Sequence, residues 1–177
     1  PVLSRGLGDV YKRQTPRSSP ARSSEQYAYA ASTSGRGMGT LVTGTAATYV
    51  EELTVRTDER RAIICLTHEV ERIVRESGII DGLVLVNPMH ITASIYVNDL
   101  EYGLHEDLMT WLERVAPFGG HEGRDGPEYL HHRTGEDNGD AHLKRQLLGQ
   151  QVTMPVRDGR LHLGTWEQIH YLSLIHI

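Results

Sequence analysis

Three histidines and three carboxylates fall within the sixteen residues Tyr129-Leu-His131-His132-Arg-Thr-Gly-Glu136-Asp137-Asn138-Gly-Asp140-Ala-His142-Leu-Lys144. A fourth histidine, His90, stands where the apolar run Gly82 to Met89 gives way to polar sequence. Three imidazoles with an open fourth position are the usual ligand set of a catalytic zinc, which activates water or polarises a bound oxygen. His90, His131 and His142 are therefore the candidate metal ligands, with His132 as an alternative, and a divalent metal such as zinc is the expected cofactor. His90 and His131 lie far apart in the chain, so spacing alone leaves exposed or hydrogen-bonded structural histidines slightly ahead of a metal centre. His68, His105, His121, His162 and His170 have no matching context.

The same residues also permit an anion site. Thr92, Ser94 and Asn98 offer donors along one strand face, and Lys144 lies near a proposed helix start, where backbone amides favour phosphate. Ordinary strand hydroxyls and a solvated lysine explain them equally well. Asp99, Glu106, Glu136 and Asp137 could act as general acid or base or orient histidines, although Asp99 also suits a helix cap. Trp166 with Glu167 and Gln168 could line a pocket, the indole stacking on a ring, or could pack in the core. No G-x-S-x-G elbow surrounds Ser94, which disfavours a serine triad.

The elements that must hold these groups begin near Thr48. Tyr49 to Arg56 and Arg61 to Leu66 carry strand-type residues, and Thr67 can cap a helix with Val70, Ile73 and Val74 on its apolar face, Glu71 paired with Arg75, and Ser77-Gly78 as its stop. Gly82 to Met89 suits a central strand. From His90 to Asn98, alternation sets His90, Thr92, Ser94, Tyr96 and Asn98 on a polar face opposite Ile91, Ala93, Ile95 and Val97 in the core. A helix follows, with Leu104, Leu108, Trp111, Leu112 and Val115 as its stripe, and Phe118 to Glu128 is a loop. Asp140 can cap a short helix that turns Leu143 and Leu147 to the core and ends at Gly149. Gln151 to Val156 and Leu161 to Gly164 form a hairpin about Asp158-Gly159, and Trp166 to Leu172 is a last strand. About seven strands, often adjacent, and about three helices make an α+β domain with a largely antiparallel sheet.

With 177 residues, one domain is expected. The net charge of −5 gives no basic footprint for nucleic acid, and no apolar run reaches a membrane-spanning length, so neither partner is expected. The single cysteine, Cys65, excludes an intrachain disulfide and gives no argument for secretion; the expectation is a soluble, cytoplasmic protein. Residues 1–47 read as a disordered or non-native leader. Their start is similar to translated sequencing-adapter text, and the Arg/Ser-rich remainder has the composition of an organelle transit peptide. Residues 48–171 form the domain, and residues 172–177 read as a non-native tail.

Ser77-Gly-Ile-Ile-Asp-Gly82, His90-Ile-Thr-Ala-Ser94, Val97-Asn98-Asp99, Gly135-Glu-Asp-Asn138, Asp140-Ala-His-Leu-Lys144, Leu148-Gly149 and Gly159-Arg-Leu-His-Leu-Gly-Thr-Trp166 together resemble the YjbQ-like family, over roughly residues 48–171. The resemblance implies an α+β fold with a β-sandwich-like core, a homotrimer with pockets at subunit boundaries, and a histidine-lined, metal-associated site. It matches His90, His131 and His142 to family histidines and moves the metal reading ahead. It also implies a secondary thiamine-phosphate synthase activity, a transferase reaction on phosphorylated small molecules. His90, Asp137 and Lys144 would then serve catalysis, and Thr92, Ser94, Asn98, Trp166 and Glu167 would bind substrate. The alternative is a non-catalytic metabolite- or metal-binding trimer. Asp99 stands where many members have Glu, Glu167-Gln168 replaces Gln-Gly, and Leu172 to Ile177 replaces a final Gly- and Arg-containing strand.

Overall fold

The computed structural model describes residues 44, 46–120 and 125–175. The expected leader lies almost wholly outside them, as does His121. In chain order the described elements are β1 (Ala62–Cys65), α1 (Thr67–Ser77), β2 (Gly82–Val86), β3 (Ala93–Asn98), α2 (Tyr102–Val115), a 3-10 helix η1 (Leu130–Thr134), α3 (Gly139–Leu148), β4 (Val152–Arg157), β5 (Arg160–Leu161) and β6 (Gln168–Ser173). They form two three-stranded antiparallel sheets, β1-β6-β3 and β2-β4-β5, so the α+β class stands. No helix among the described residues is long and apolar enough to cross a membrane.

β6 is the centre of the first sheet, and both of its faces are covered. Ala93, Ile95, Ile169 and Tyr171 join Val70 and Val74 of α1, Val156 of β4, and partly buried residues of β2 and β4 in one core. On the other face Tyr96 and Leu172 pack with Leu112 of α2 and Ala141 of α3. The alternation along β3 is real, but the face expected to be polar and open is buried: Ser94 and Tyr96 lie under helices. β2 departs in the opposite sense. It is an edge strand rather than a central one, and Leu83 and Leu85 face outward.

Local chemistry explains several boundaries. Asp158 and Gly159 both have positive φ, 51° and 72°, the paired left-handed conformation that a two-residue hairpin turn demands. Thr67 opens α1 without capping it; its hydroxyl accepts from the Ile169 amide at 2.9 Å, tying the helix to β6. In place of a Glu71–Arg75 pair, Arg72 gathers Glu51, Glu69 and Glu76 while His68 meets Glu71. Glu101, not Asp99, caps α2 by accepting from the amides of Gly103 and Leu104 at 2.8 and 2.7 Å.

Three further expectations are corrected. Tyr49 to Arg56 forms no strand, because β-propensity gives a strand only where another strand offers its hydrogen bonds, and no described strand pairs with it. Leu143 and Leu147 of α3 are exposed, as are Trp111 and Val115 of α2; the buried side of α3 is Asp140, Ala141 and Lys144. The last strand, expected over Trp166 to Leu172, is β6 and runs from Gln168 to Ser173, with Leu174 buried beside it.

Candidate functional site

His131 is carried by η1, which Gly135 closes in the left-handed conformation, its amide donating to the His132 carbonyl. His142 lies in the first turn of α3. Their rings meet edge to face, with centroids 4.6 Å apart and planes at 74°. Beside them opens a cavity of about 420 Å³ lined by Tyr129, Leu130, His131, Gly139, His142 and Leu143. Burial, reinforced by His131 and Arg145, pushes the His142 pKa below its ordinary value and favours the neutral ring that a metal or a proton donor can engage.

His90 is not part of that lining. The Thr92 amide lies 3.3 Å from its Nδ1, and the Thr92 hydroxyl 3.0 Å. An amide can only donate, so Nδ1 carries the lone pair and the neutral ring holds its hydrogen on Nε2. In this arrangement His90 offers an N–H to an anionic oxygen; ligation through Nε2 would require a change of tautomer and of this bond. Among the described residues, no group of three or more His, Cys, Asp or Glu is placed to hold a metal ion. The described residues therefore supply two neighbouring imidazoles, half of a four-coordinate zinc set.

Lys144 does not reach an open site. Its side chain is 1% exposed, and its ammonium meets Asp140 at 2.6 Å and also Glu113 of α2. Arg61 joins Glu113 at 3.1 Å, and Arg60 joins Asp140 and Asp137 at 3.4 and 3.7 Å while its guanidinium covers the Phe118 ring. The lysine and the carboxylate expected to serve chemistry thus belong to an ionic web binding α2, α3 and the start of β1. Of the expected substrate-binding residues, Thr92 and Ser94 are buried, and Asn98 accepts from the Asp99 amide through its side chain. Glu167 accepts from the Gly164 amide, and Trp166 is 72% exposed, outside both the core and the cavity lining.

A second aromatic cluster escaped the sequence reading. Fully buried His170 stacks on Tyr96 with centroids 5.1 Å apart and receives His105 edge-on at 5.0 Å. Its Nε2–H donates to the Asn98 carbonyl at 3.3 Å, leaving Nδ1 as an acceptor. The alternation of β3 places Tyr96 on this face, but only the β3–β6 pairing sets His170 opposite it. Burial pushes Tyr96 up to about 12 and, with His105 beside it, pushes His170 down. Stability should accordingly fall as pH drops below the ordinary histidine range, because the unfolded chain takes up a proton that buried His170 resists. Urea midpoints at about pH 7.5 and about pH 5.5, either side of that range, should diverge less in His170→Phe than in the parent. Equal pH slopes would remove His170 from the account.

The family model described as UPF0047 protein YjbQ-like matches residues 51–174. A UPF0047 protein of Archaeoglobus fulgidus is 43% identical over 122 residues, covering 69% of this chain and 88% of its own. A crystal structure of a protein of unknown function from Sulfolobus solfataricus aligns with a TM-score of 0.61 at 34% identity, over 68% of this chain and 82% of that one. A Clostridium acetobutylicum family member gives a TM-score of 0.61 at 28% identity, over 71% and 91%.

Proposed function

The chain belongs to the YjbQ-like UPF0047 family, and from that premise we propose that the His131–His142 cavity binds a phosphorylated small molecule together with a divalent metal, zinc being the candidate. The observation that carries this reading is the contact of two imidazoles lining an open surface pocket of about 420 Å³. The metal would supply Lewis acidity toward phosphate oxygens. The chain's own residues do the rest: His131 and His142 would hold the ion, and Tyr129, Leu130 and Leu143 shape the apolar wall.

The candidate reaction is thiamine-phosphate synthesis. The thiazole nitrogen forms a bond to the pyrimidine methylene, the methylene–oxygen bond breaks, and pyrophosphate leaves with the electron pair. A homotrimer accords with the outward-facing Leu83, Leu85, Trp111 and Val115, which self-association could cover, and a neighbouring copy is one source of the missing ligands. The second reading, a non-catalytic binding trimer, draws support from the burial of Lys144, which denies the cavity the ammonium expected to neutralise a departing phosphate.

Elemental analysis should find about one equivalent of zinc per chain, as one site per subunit requires, and His131→Ala and His142→Ala should each lose it. Absence of metal in parent and variants alike would sink the metal reading. Thiamine-phosphate formation abolished by chelator and by His142→Ala would support the enzyme, whereas zinc binding without turnover would leave the binding trimer.

A further inference from the structure

Resting on the assignment of the His131–His142 pair, we infer that His132 is a positioning residue that sets the spacing of those two imidazoles. The pair straddles two separate elements, η1 and α3, so its geometry depends on what fastens one to the other. The first amides of a helix have no acceptor within it, and Asn138, at the N-cap of α3, contributes no side-chain acceptor. His132 supplies one: its Nε2 accepts from the Gly139 amide at 3.2 Å.

That bond is shielded and braced. His132 is 8% exposed and lies edge-on to the Tyr129 ring with centroids 5.2 Å apart, and the Tyr129 hydroxyl donates to the Pro117 carbonyl at 2.8 Å. The clamp therefore runs from the end of α2 through Tyr129 and His132 to the first residue of α3. Its closing point admits no side chain. A β-carbon on Gly139 would lie 2.8 Å from Tyr129 Cβ and 3.0 Å from His132 Nε2, closer than packed atoms tolerate. His131 precedes the clamp residue directly, and His142 stands one helical turn beyond Gly139, so loosening this bond changes the separation of the ring pair. His132 acts through its neighbours and need not touch a ligand.

The test uses the full chain, zinc alone as probe, and imidazole ¹H–¹⁵N spectra of parent, His132→Ala and His132→Gln. The alanine variant should bind zinc roughly 10–100-fold more weakly, the range seen when residues supporting metal ligands are removed, and should displace the His131 and His142 ring resonances. The glutamine variant, whose side-chain oxygen can still accept from Gly139, should restore both. A folded His132→Ala protein with unmoved His131 and His142 resonances overturns the clamp. If the parent binds no zinc, the metal assignment fails by itself while the resonance shifts still decide the clamp. If His132→Ala does not fold, His132→Gln decides: parent-like ring resonances support the role and displaced ones overturn it.

Discussion

Lys144→Ala should destabilise the fold by about 3–5 kcal/mol, the usual cost of removing one partner from a buried ion pair. The loss goes beyond an attraction. Asp140, 2% exposed at its side chain, would lose its buried partner and retain, among the described ion pairs, Arg60, and Glu113 would lose the ammonium linking α2 to α3. Single domains have about 5–15 kcal/mol of stability in all, so urea denaturation should show a much lower midpoint with an unchanged slope. Lys144→Met combined with Asp140→Leu should recover part of the loss, since a packed apolar pair can replace a buried ionic one. If Lys144→Ala keeps its midpoint and loses only turnover, the ammonium is a catalyst and its structural assignment is wrong.

Leu172→Ala should cost about 2–5 kcal/mol, the range for truncating a fully buried leucine. Leu172 sits on the central strand of its sheet, between Ile63 and Ser94 in register and against Tyr96, Leu112 and Ala141. Leu147→Ala, on the exposed side of α3, is the matched control and should stay within about 0.5 kcal/mol, as surface changes do. The contrast decides what Leu172 is. A loss below about 1 kcal/mol, well under the range for a buried leucine, would remove it from the core.

Local signals proved legible where a single element settled the matter. Gly78 closes α1 and Asp158-Gly159 turns the hairpin, because backbone conformation at those positions depends on few other residues. His131 and His142 meet because only a short turn separates their elements. What escaped depended on neighbours distant in sequence. Ser94 looked accessible because a strand does not announce that both its faces will be covered. Asp140 looked like a cap because nothing nearby in sequence signals Arg60 or Glu113, and Leu83 and Leu85 looked internal because an apolar run cannot say whether it lies mid-sheet or at an edge. His90 was grouped with the other histidines because it stands at the end of an apolar run, but an element edge does not say which other edges it will meet.

The position of β6 has a consequence for how the chain is made. β1 and β3 never pair with each other; each pairs only with β6, and Ile63 lies opposite Leu172. Every other described strand leaves the ribosome before β6, so the first sheet can have no hydrogen-bonded ladder until synthesis has passed Ser173. Until then α1, β2, β3 and α2 emerge with their apolar faces awaiting a strand that has not been translated. Contacts closed across such long loops are slow to form and leave nascent intermediates exposed to misassociation. Among the described strands, assembly of the first sheet waits on β6, even though most of that sheet's residues are available earlier.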